Sequence, residues 1–293
     1  MKIPAYRLLV TLVCILFAST LFATESQKGL FWQIKKSGVK ASYVFGTIHS
    51  EDIRVNKLPN KIQFYFDKAN SVSLEMLLDM PTMLKASAAM LITDEDQSLD
   101  KLIGEELFIQ VTEALRKYNV PPIIAKRLKP WAIVATLSTP PPESGDFLDL
   151  FLYKEAMKLE IDTYGLEKVE EQLSVFENLS LKEQITLLEE TIEHIDEMPE
   201  MFAKLHELYL QRDLTELQKF SIEYMMKNSE NKVLTNTFYK RIVNDRNITM
   251  VDRMIKRLRE GNAFIAVGAL HLPGEKGILK LLENKGYKIK PIY

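Results

Sequence analysis

The sequence predicts an α/β (α+β) domain, in which the two ends of the chain form one mixed sheet and a large helical insert caps a site. Strand-like runs occur in residues 29–76 and 264–292, whereas 81–259 is almost entirely helical in pattern. Each strand-rich region also contains the tetrapeptide Gly-x-x-His after an apolar run, at 46–49 and at 268–271. The chain therefore contains two similar units, each with a strand, a Gly-x-x-His motif and a helix. The simplest arrangement pairs the strands of both units in a single sheet.

The first strand-rich region predicts a hairpin followed by a helix and a third strand. Residues 30–34 and 42–45 flank the turn-prone Lys36-Ser37-Gly38 segment, as the two strands of a hairpin do. Residues 60–69 have a helical pattern, and 71–75 form a short apolar run that ends in an acid.

Prolines and turn residues divide the middle region into helices. The predicted helices cover 81–90, 98–118, 131–137 and 146–159, and several charged amphipathic helices occupy 168–259. Ser98 is the expected N-cap of its helix, and Pro121-Pro122 ends that helix. The Pro-rich segment 140–145 is either part of a lid or a plain surface connection, and 161–164 indicates a short strand.

The last region returns to alternating strands and helices. Residues 264–267 are the predicted strand, 274–285 the helix, and 287–292 a final strand. Gly286 is the expected helix stop, because glycine adopts the left-handed backbone conformation that commonly ends a helix.

The N-terminus has the composition of a secretory signal peptide over residues 1–23. Lys2 and Arg7 precede an apolar core at 8–17, and small residues follow it. We expect the signal peptide to be cleaved, which leaves a single domain of residues 24–293 that is periplasmic or secreted. The alternative is that residues 1–23 stay uncleaved as a membrane anchor. No later segment is apolar enough to span a bilayer.

Composition restricts the chemistry of the expected mature chain. The only cysteine, Cys14, lies inside the signal, so cysteine catalysis, disulfides and thiolate metal sites are excluded from the cleaved protein. Any metal must therefore be held by imidazole and carboxylate. The cleaved chain keeps 36 basic and 40 acidic side chains, a formal charge of −4, and has no basic patch, which argues against a nucleic-acid partner.

His49 and His271 are the leading candidates for a functional site. Glycine lets the backbone turn sharply at a strand end or lets another group approach closely, and the residue three positions later can reach across the sheet edge. The alternative is two capping or hydrogen-bonded histidines without a functional role. The other histidines, His194 and His206, lie on highly charged helices and are expected to face solvent.

Two acids and one arginine complete the candidate set. Glu75 and Glu167 each follow a predicted strand, where a buried acid needs a metal or a cation as partner; an exposed strand exit is the alternative. Arg246 could contact a substrate oxygen or pair with one of these glutamates, although its helical pattern favours a surface position. Two imidazoles and a glutamate would suit zinc, manganese or iron, and could generate hydroxide near neutral pH.

These motifs resemble those of the TraB/GumN family, which includes the Tiki metalloproteases and pheromone-shutdown proteins. Residues 43–49 are similar to its opening motif and 266–274 to its closing motif. The other matches, in order along the chain, are Val72 to Glu75, Asp149, Gly165-Leu166-Glu167 with Gln172, and Arg246-Asn247. The resemblance implies a fold similar to the erythromycin esterase and ChaN-like proteins.

The resemblance also implies roles for individual residues, since the Tiki branch is a metal-dependent protease with two Gly-x-x-His motifs and a glutamate. It makes His49, His271 and Glu75 ligands of a divalent metal of the Mn, Co or Zn type. Glu75, Glu167 and Arg246 become the expected catalytic residues.

Together the residues and the resemblance predict an exported metal-dependent hydrolase that acts on a peptide or a small molecule, with peptide bonds as the leading choice. Two alternatives stay open. One is a non-enzymatic protein that sequesters a signalling peptide or a haem-like ligand, and the other is a metal-independent esterase with one histidine as base. The substrate and the oligomeric state are open as well.

Overall fold

The computed structural model describes residues 27–293, and the predicted signal peptide at 1–23 lies outside the described residues. The strands are β1 Phe31–Lys35, β2 Ser42–Thr47, β3 Ser71–Leu74, β4 Asp162–Gly165, β5 Ala263–Gly268 and β6 Lys288–Pro291. The first helices are α1 Asn60–Phe66, α2 Met80–Ala89, α3 Leu99–Ile103, α4 Glu105–Leu115, α5 Pro122–Ala125, α6 Pro130–Leu137 and α7 Leu148–Lys158. They are followed by α8 Val169–Glu177, α9 Leu181–Glu193, α10 Met198–Leu210, α11 Leu214–Lys227, α12 Lys232–Tyr239, α13 Arg246–Glu260 and α14 Ile278–Asn284.

The six strands form one mixed sheet in the order β4-β3-β5-β2-β1-β6. Neighbours from β4 to β2 run parallel, whereas β1 is antiparallel to both β2 and β6. The predicted fold class and hairpin are therefore confirmed. Because β2, β3, β4 and β5 point the same way, the residues that follow them emerge at one edge of the sheet, where open α/β sheets form their sites.

The sheet is buried because its central strands are apolar along their whole length. Every residue of β5 from Ala263 to Val267 is buried, as is typical of a parallel strand covered on both faces. An aromatic cluster fills one side of the sheet: the ring of Phe31 lies 5.3 Å from that of Tyr43 and 5.7 Å from that of Phe264. Such pairs fix the register of the strands beyond simple burial.

The middle region departs from the sequence prediction at two points and confirms it at a third. The helix expected at 98–118 is interrupted at Gly104, whose φ of 82° lies in the left-handed region that favours glycine. Ser98 is the N-cap residue of α3, as predicted, but its side chain makes no capping hydrogen bond. The strand predicted at 161–164 is β4, so the middle of the chain contributes an edge strand to the sheet.

The helices of the middle region pack around a second core of their own. Trp131 is 2% exposed and stacks on Phe176 with ring centroids 5.4 Å apart. This core rigidly supports the segments that border the carboxyl edge of the sheet. Among residues 27–293, no helix has the length and apolar character needed to cross a membrane.

Candidate functional site

The two Gly-x-x-His motifs lie side by side although more than 200 residues separate them, because β2 and β5 are neighbouring parallel strands. In their register Gly46 is paired with Val267 and Thr47 with Gly268. A Cβ atom on Gly46 would lie 2.9 Å from Leu272 Cδ1, so the glycine allows the close approach that the sequence predicted.

Replacing Gly46 with alanine should therefore destabilise the protein. The added methyl group would force the segment after β5 to shift, at a cost of about 1–3 kcal/mol, which is typical of overpacking. Urea unfolding monitored by circular dichroism measures the change. If the urea concentration at the unfolding midpoint does not change, the close approach of the two motifs at Gly46 is not needed for stability.

The second motif delivers a buried, firmly oriented imidazole. His271 Nδ1 lies 2.7 Å from Asn247 Oδ1, and Asn247 Nδ2 donates to the carbonyl of Lys276 at 2.8 Å. That second bond fixes which way the amide points, so Nδ1 of His271 donates and Nε2 keeps its lone pair. Burial lowers the pKa of His271 to about 4, which leaves the ring neutral near pH 7.

The first motif delivers an accessible imidazole that is paired with a buried acid. His49 Nδ1 lies 3.0 Å from Asp149 Oδ2, and Thr47 donates to Oδ1 of the same carboxylate at 3.0 Å. The His49 side chain is 58% exposed, whereas that of Asp149 is 8% exposed. The negative charge of Asp149 raises the pKa of His49 to about 9. Nε2 of His49 makes no hydrogen bond with any residue in 27–293.

Glu75, Glu167 and Arg246 form one buried ion-pair cluster at the ends of β3 and β4. Arg246 Nη2 lies 2.5 Å from Glu75 Oε2 and 2.7 Å from Glu167 Oε2, and its Nε donates to both Glu167 oxygens. The guanidinium is 14% exposed, so the surface position that its helical pattern favoured was wrong, whereas the predicted pairing with a glutamate is found twice. Gln172 Nε2 also donates to Glu167, at 3.2 Å.

The cluster connects directly to the second histidine. Glu75 Oε1 accepts the amide of Gly268 at 2.6 Å and lies 3.7 Å from His271 Nε2. Burial alone would raise the pKa of Glu75, but the positive charges of His271 when protonated, of Arg246 and of His49 hold it well below its usual range. With His271 neutral, two carboxylates share one guanidinium. This buried cluster therefore carries a net negative charge, which favours a cation.

A cavity of about 510 Å³ opens in front of this cluster. His49, Glu75, Asp149 and Gln172 form its polar wall. His271, Glu167 and Arg246 are not among its lining residues, and Glu167 and Arg246 border a separate cavity of about 400 Å³. The helical middle region also lines the first cavity, with Tyr118, Val120 and Thr136, as the predicted capping role requires.

The Pro-rich segment borders the cavity and is tied down at both ends. Tyr118 Oη donates to the carbonyl of Thr139 at 2.6 Å, and the Glu51 carboxylate accepts the amides of Glu143, Ser144 and Gly145. Glu51 follows His49 by only two residues, so it couples the first motif to this loop. The segment is thus part of the cavity wall rather than a plain surface connection.

We predict that Glu51→Ala loosens this loop. Its side chain accepts four hydrogen bonds at 2.5–3.0 Å, and losing them exposes three amides to solvent. Exchange of the amide hydrogens at 143–145 should accelerate about tenfold or more, since one hydrogen bond contributes about 1 kcal/mol. Hydrogen exchange with mass spectrometry measures this, and Glu143→Ala, which leaves the backbone amides in place, is the control. Equal exchange in both variants would contradict the anchoring role.

The donors fit a divalent metal in kind. His49 and His271 each have an oxygen beside Nδ1, and within residues 27–293 neither Nε2 makes a hydrogen bond, the arrangement that orients metal-binding imidazoles. The ion pair of His49 is with Asp149 and not with Glu75, and residues 27–293 contain no group of three such side chains already placed to hold a metal. His49, whose ring is exposed, is the ligand that would have to turn.

Sequence reasoning gave no role to Asp149, Asn247 or Glu51. A usable signal existed for the first two. Asp149 lies on the buried face of α7 with Leu152 and Ala156, and Asn247 on that of α13 with Met250. A polar residue on an apolar helix face needs a buried partner. Glu51 carried no such signal, since its partners come from a loop 92 residues away.

Fold and site define a mixed α/β protein with paired imidazoles and a carboxylate–guanidinium cluster at the carboxyl ends of parallel strands. The chain belongs to the TraB/PrgY/gumN family, whose model matches residues 30–291. This agrees with the resemblance seen in the sequence motifs.

Curated relatives are similar to the chain at low identity. Metalloprotease TIKI2 of Danio rerio is 23% identical, over 91% of this chain and 61% of its own length. Metalloprotease TIKI2 of Xenopus tropicalis is 22% identical, over 91% of this chain and 60% of its length. Metalloprotease TIKI1 of Danio rerio is 22% identical, over 88% of this chain and 62% of its own length. The chain spans about three fifths of the length of these relatives, and no solved structure matches it.

Proposed function

We propose that this protein is an exported metal-dependent hydrolase that cleaves peptide bonds. The observation that carries the proposal is the meeting of both Gly-x-x-His motifs with Glu75 at one sheet edge, where neither Nε2 donates to or accepts from another group in residues 27–293 by a hydrogen bond. The metalloprotease names of the relatives support the same class. Export rests on the signal-like sequence of residues 1–23.

His49, His271 and Glu75 would hold a divalent ion of the Mn, Co or Zn type. When bound, such an ion lowers the pKa of a coordinated water and polarises a carbonyl group. His271 is prepared for this role because it is already neutral at pH 7, whereas His49 must first give up a proton.

The remaining residues prepare the site rather than reach the substrate. Arg246 uses its Nε, Nη1 and Nη2 groups on Glu167, on the carbonyl of Ile242 and on Glu75, so it holds Glu75 in place and compensates its charge. Glu167 in turn holds Arg246. Neither lines the cavity that contains His49 and Glu75, so we assign them to positioning Glu75.

The His49–Asp149 pair supports a second candidate, a metal-independent esterase in which His49 acts as base. A histidine whose pKa is raised to about 9 is protonated near pH 7, which suits a proton donor better than a base. Either role requires His49 to lose this proton, and the metalloprotease names of the relatives favour the metal-dependent one.

Metal content and peptide digestion test the proposal together. The wild-type chain 24–293, His49→Ala, His271→Ala and the double variant are loaded with Mn²⁺, Co²⁺ or Zn²⁺, dialysed and analysed by elemental mass spectrometry. We expect about one ion per wild-type chain and losses in each variant. Digestion of a peptide library should stop with a chelator and resume with added ion. Equal metal content in all four proteins would refute the metal site, and activity that survives the chelator would favour the esterase.

A further inference from the structure

The cavity in front of the cluster is lined by polar and by apolar side chains. His49, Glu75 and Asp149 line it, and so do Met76, Leu78 and Phe147, which we call the apolar wall. The wall borders the polar residues directly, since the ring of Phe147 lies 5.7 Å from that of His49. Its volume of about 510 Å³ lies within the range of sites that enclose small ligands or a short stretch of chain. A molecule whose reacting group faces His49 and Glu75 must therefore place its neighbouring atoms against the apolar wall.

The apolar wall is not simply the edge of the protein's core. Met76, Leu78 and Phe147 are half-buried, and they belong to none of the hydrophobic clusters packed within residues 27–293. Their apolar surface is directed to the cavity instead. A ligand that covers the exposed part of these side chains removes further apolar surface from water, which is favourable.

Carboxylates outnumber basic side chains among the described residues that line the cavity. Three carboxylates line it, those of Glu51, Glu75 and Asp149, and no lysine or arginine is found among its described lining residues. Glu51 and Asp149 already have hydrogen-bond donors from the protein. An acidic group in the cavity would therefore be desolvated beside an excess of carboxylates, and the one basic side chain among the described lining residues, His49, is already paired with Asp149.

We infer that this cavity is a specificity pocket that accepts a bulky uncharged apolar side chain next to the bond to be hydrolysed and rejects an acidic one. That a bond is hydrolysed there rests on the proposed function, whereas the preference for an apolar side chain rests on the cavity alone. Leu78 is the specificity-determining residue most open to testing, since it lines the pocket and has no part in the cores.

Two peptides that differ in one residue provide the probe: acetyl-Ala-Ala-Leu-Ala-Ala-amide and the same peptide with Asp in place of Leu. Binding is measured by calorimetry in the presence of chelator, and cleavage separately with added Mn²⁺, Co²⁺ or Zn²⁺. We expect the Leu peptide to bind and to be cleaved at least about tenfold better, in line with the discrimination that a pocket achieves against a mismatched side chain.

Introducing a positive charge into the apolar wall gives the sharper test. Leu78→Lys should weaken the Leu peptide and improve the Asp peptide, so that the preference narrows or inverts. Leu84→Lys is the matched control, because Leu84 lies on α2 outside the cavity and is 62% exposed. Leu78→Met should keep the wild-type preference and shows that the position tolerates substitution.

The outcomes separate the pocket from the hydrolase. Three results would overturn the proposed specificity pocket: equal affinity for the two peptides, no binding of either peptide, or the same change of preference in Leu84→Lys as in Leu78→Lys. Selective binding without cleavage under any metal would support the pocket and overturn the hydrolase. Selective binding with metal-dependent cleavage supports both.

Discussion

Replacing Arg246 with methionine should reduce the free energy of unfolding by about 3–5 kcal/mol, the range found when one partner of a buried ion pair is removed. The variant keeps the length and much of the apolar stem of the side chain. It leaves the carboxylates of Glu75 and Glu167, which are 13% and 2% exposed, without their shared cation. Urea unfolding monitored by circular dichroism and fluorescence measures the loss.

Two further variants assign the cause. Arg253→Met removes an arginine from the same helix, but its pair with Glu171 is exposed, so at most about 1 kcal/mol should be lost. Adding Glu75→Gln and Glu167→Gln to Arg246→Met should recover part of the stability, because the uncompensated charges disappear. If Arg246→Met and Arg253→Met lose equal stability, the buried cluster is not the cause.

The sequence revealed the parts of this site that depend on strand ends. The apolar runs before Gly46, Glu75 and Gly268 define strands, and parallel pairing is enough to bring their ends to one edge. Family membership and the mixed sheet were predicted correctly for that reason.

The parts that depend on long-range packing were not predictable in the same way. Arg246 lies 171 residues from Glu75 and 79 from Glu167, and its helical pattern alone resembles that of a surface arginine. A single π-helical segment, Lys240–Asp245, directly precedes α13 and its first two residues, Arg246 and Asn247. Such insertions change which face a side chain occupies and often occur at functional sites, and no periodic pattern in the sequence indicates one.

The orientation of His271 depends on Asn247, and Asn247→Leu should weaken metal binding by about 10–100-fold, the usual effect of losing the group that orients a ligand histidine. Leucine has a similar shape but cannot accept the Nδ1–H of His271, so the ring loses the bond that directs Nε2 toward Glu75. Titration of Mn²⁺, Co²⁺ and Zn²⁺ against a competing chelating dye measures the affinity.

Rescue by a conservative substitution distinguishes orientation from general damage. Asn247→Asp keeps an oxygen facing His271 Nδ1, although it turns a second oxygen toward the Lys276 carbonyl and buries a negative charge, so part of the affinity should return. Asn236→Leu, at an exposed position in α12, makes the same chemical change outside the site and should leave affinity unaltered. An affinity in Asn247→Leu equal to that of the wild type would mean that His271 does not need this acceptor, and an equal loss in Asn247→Asp would mean that the oxygen is not what orients it.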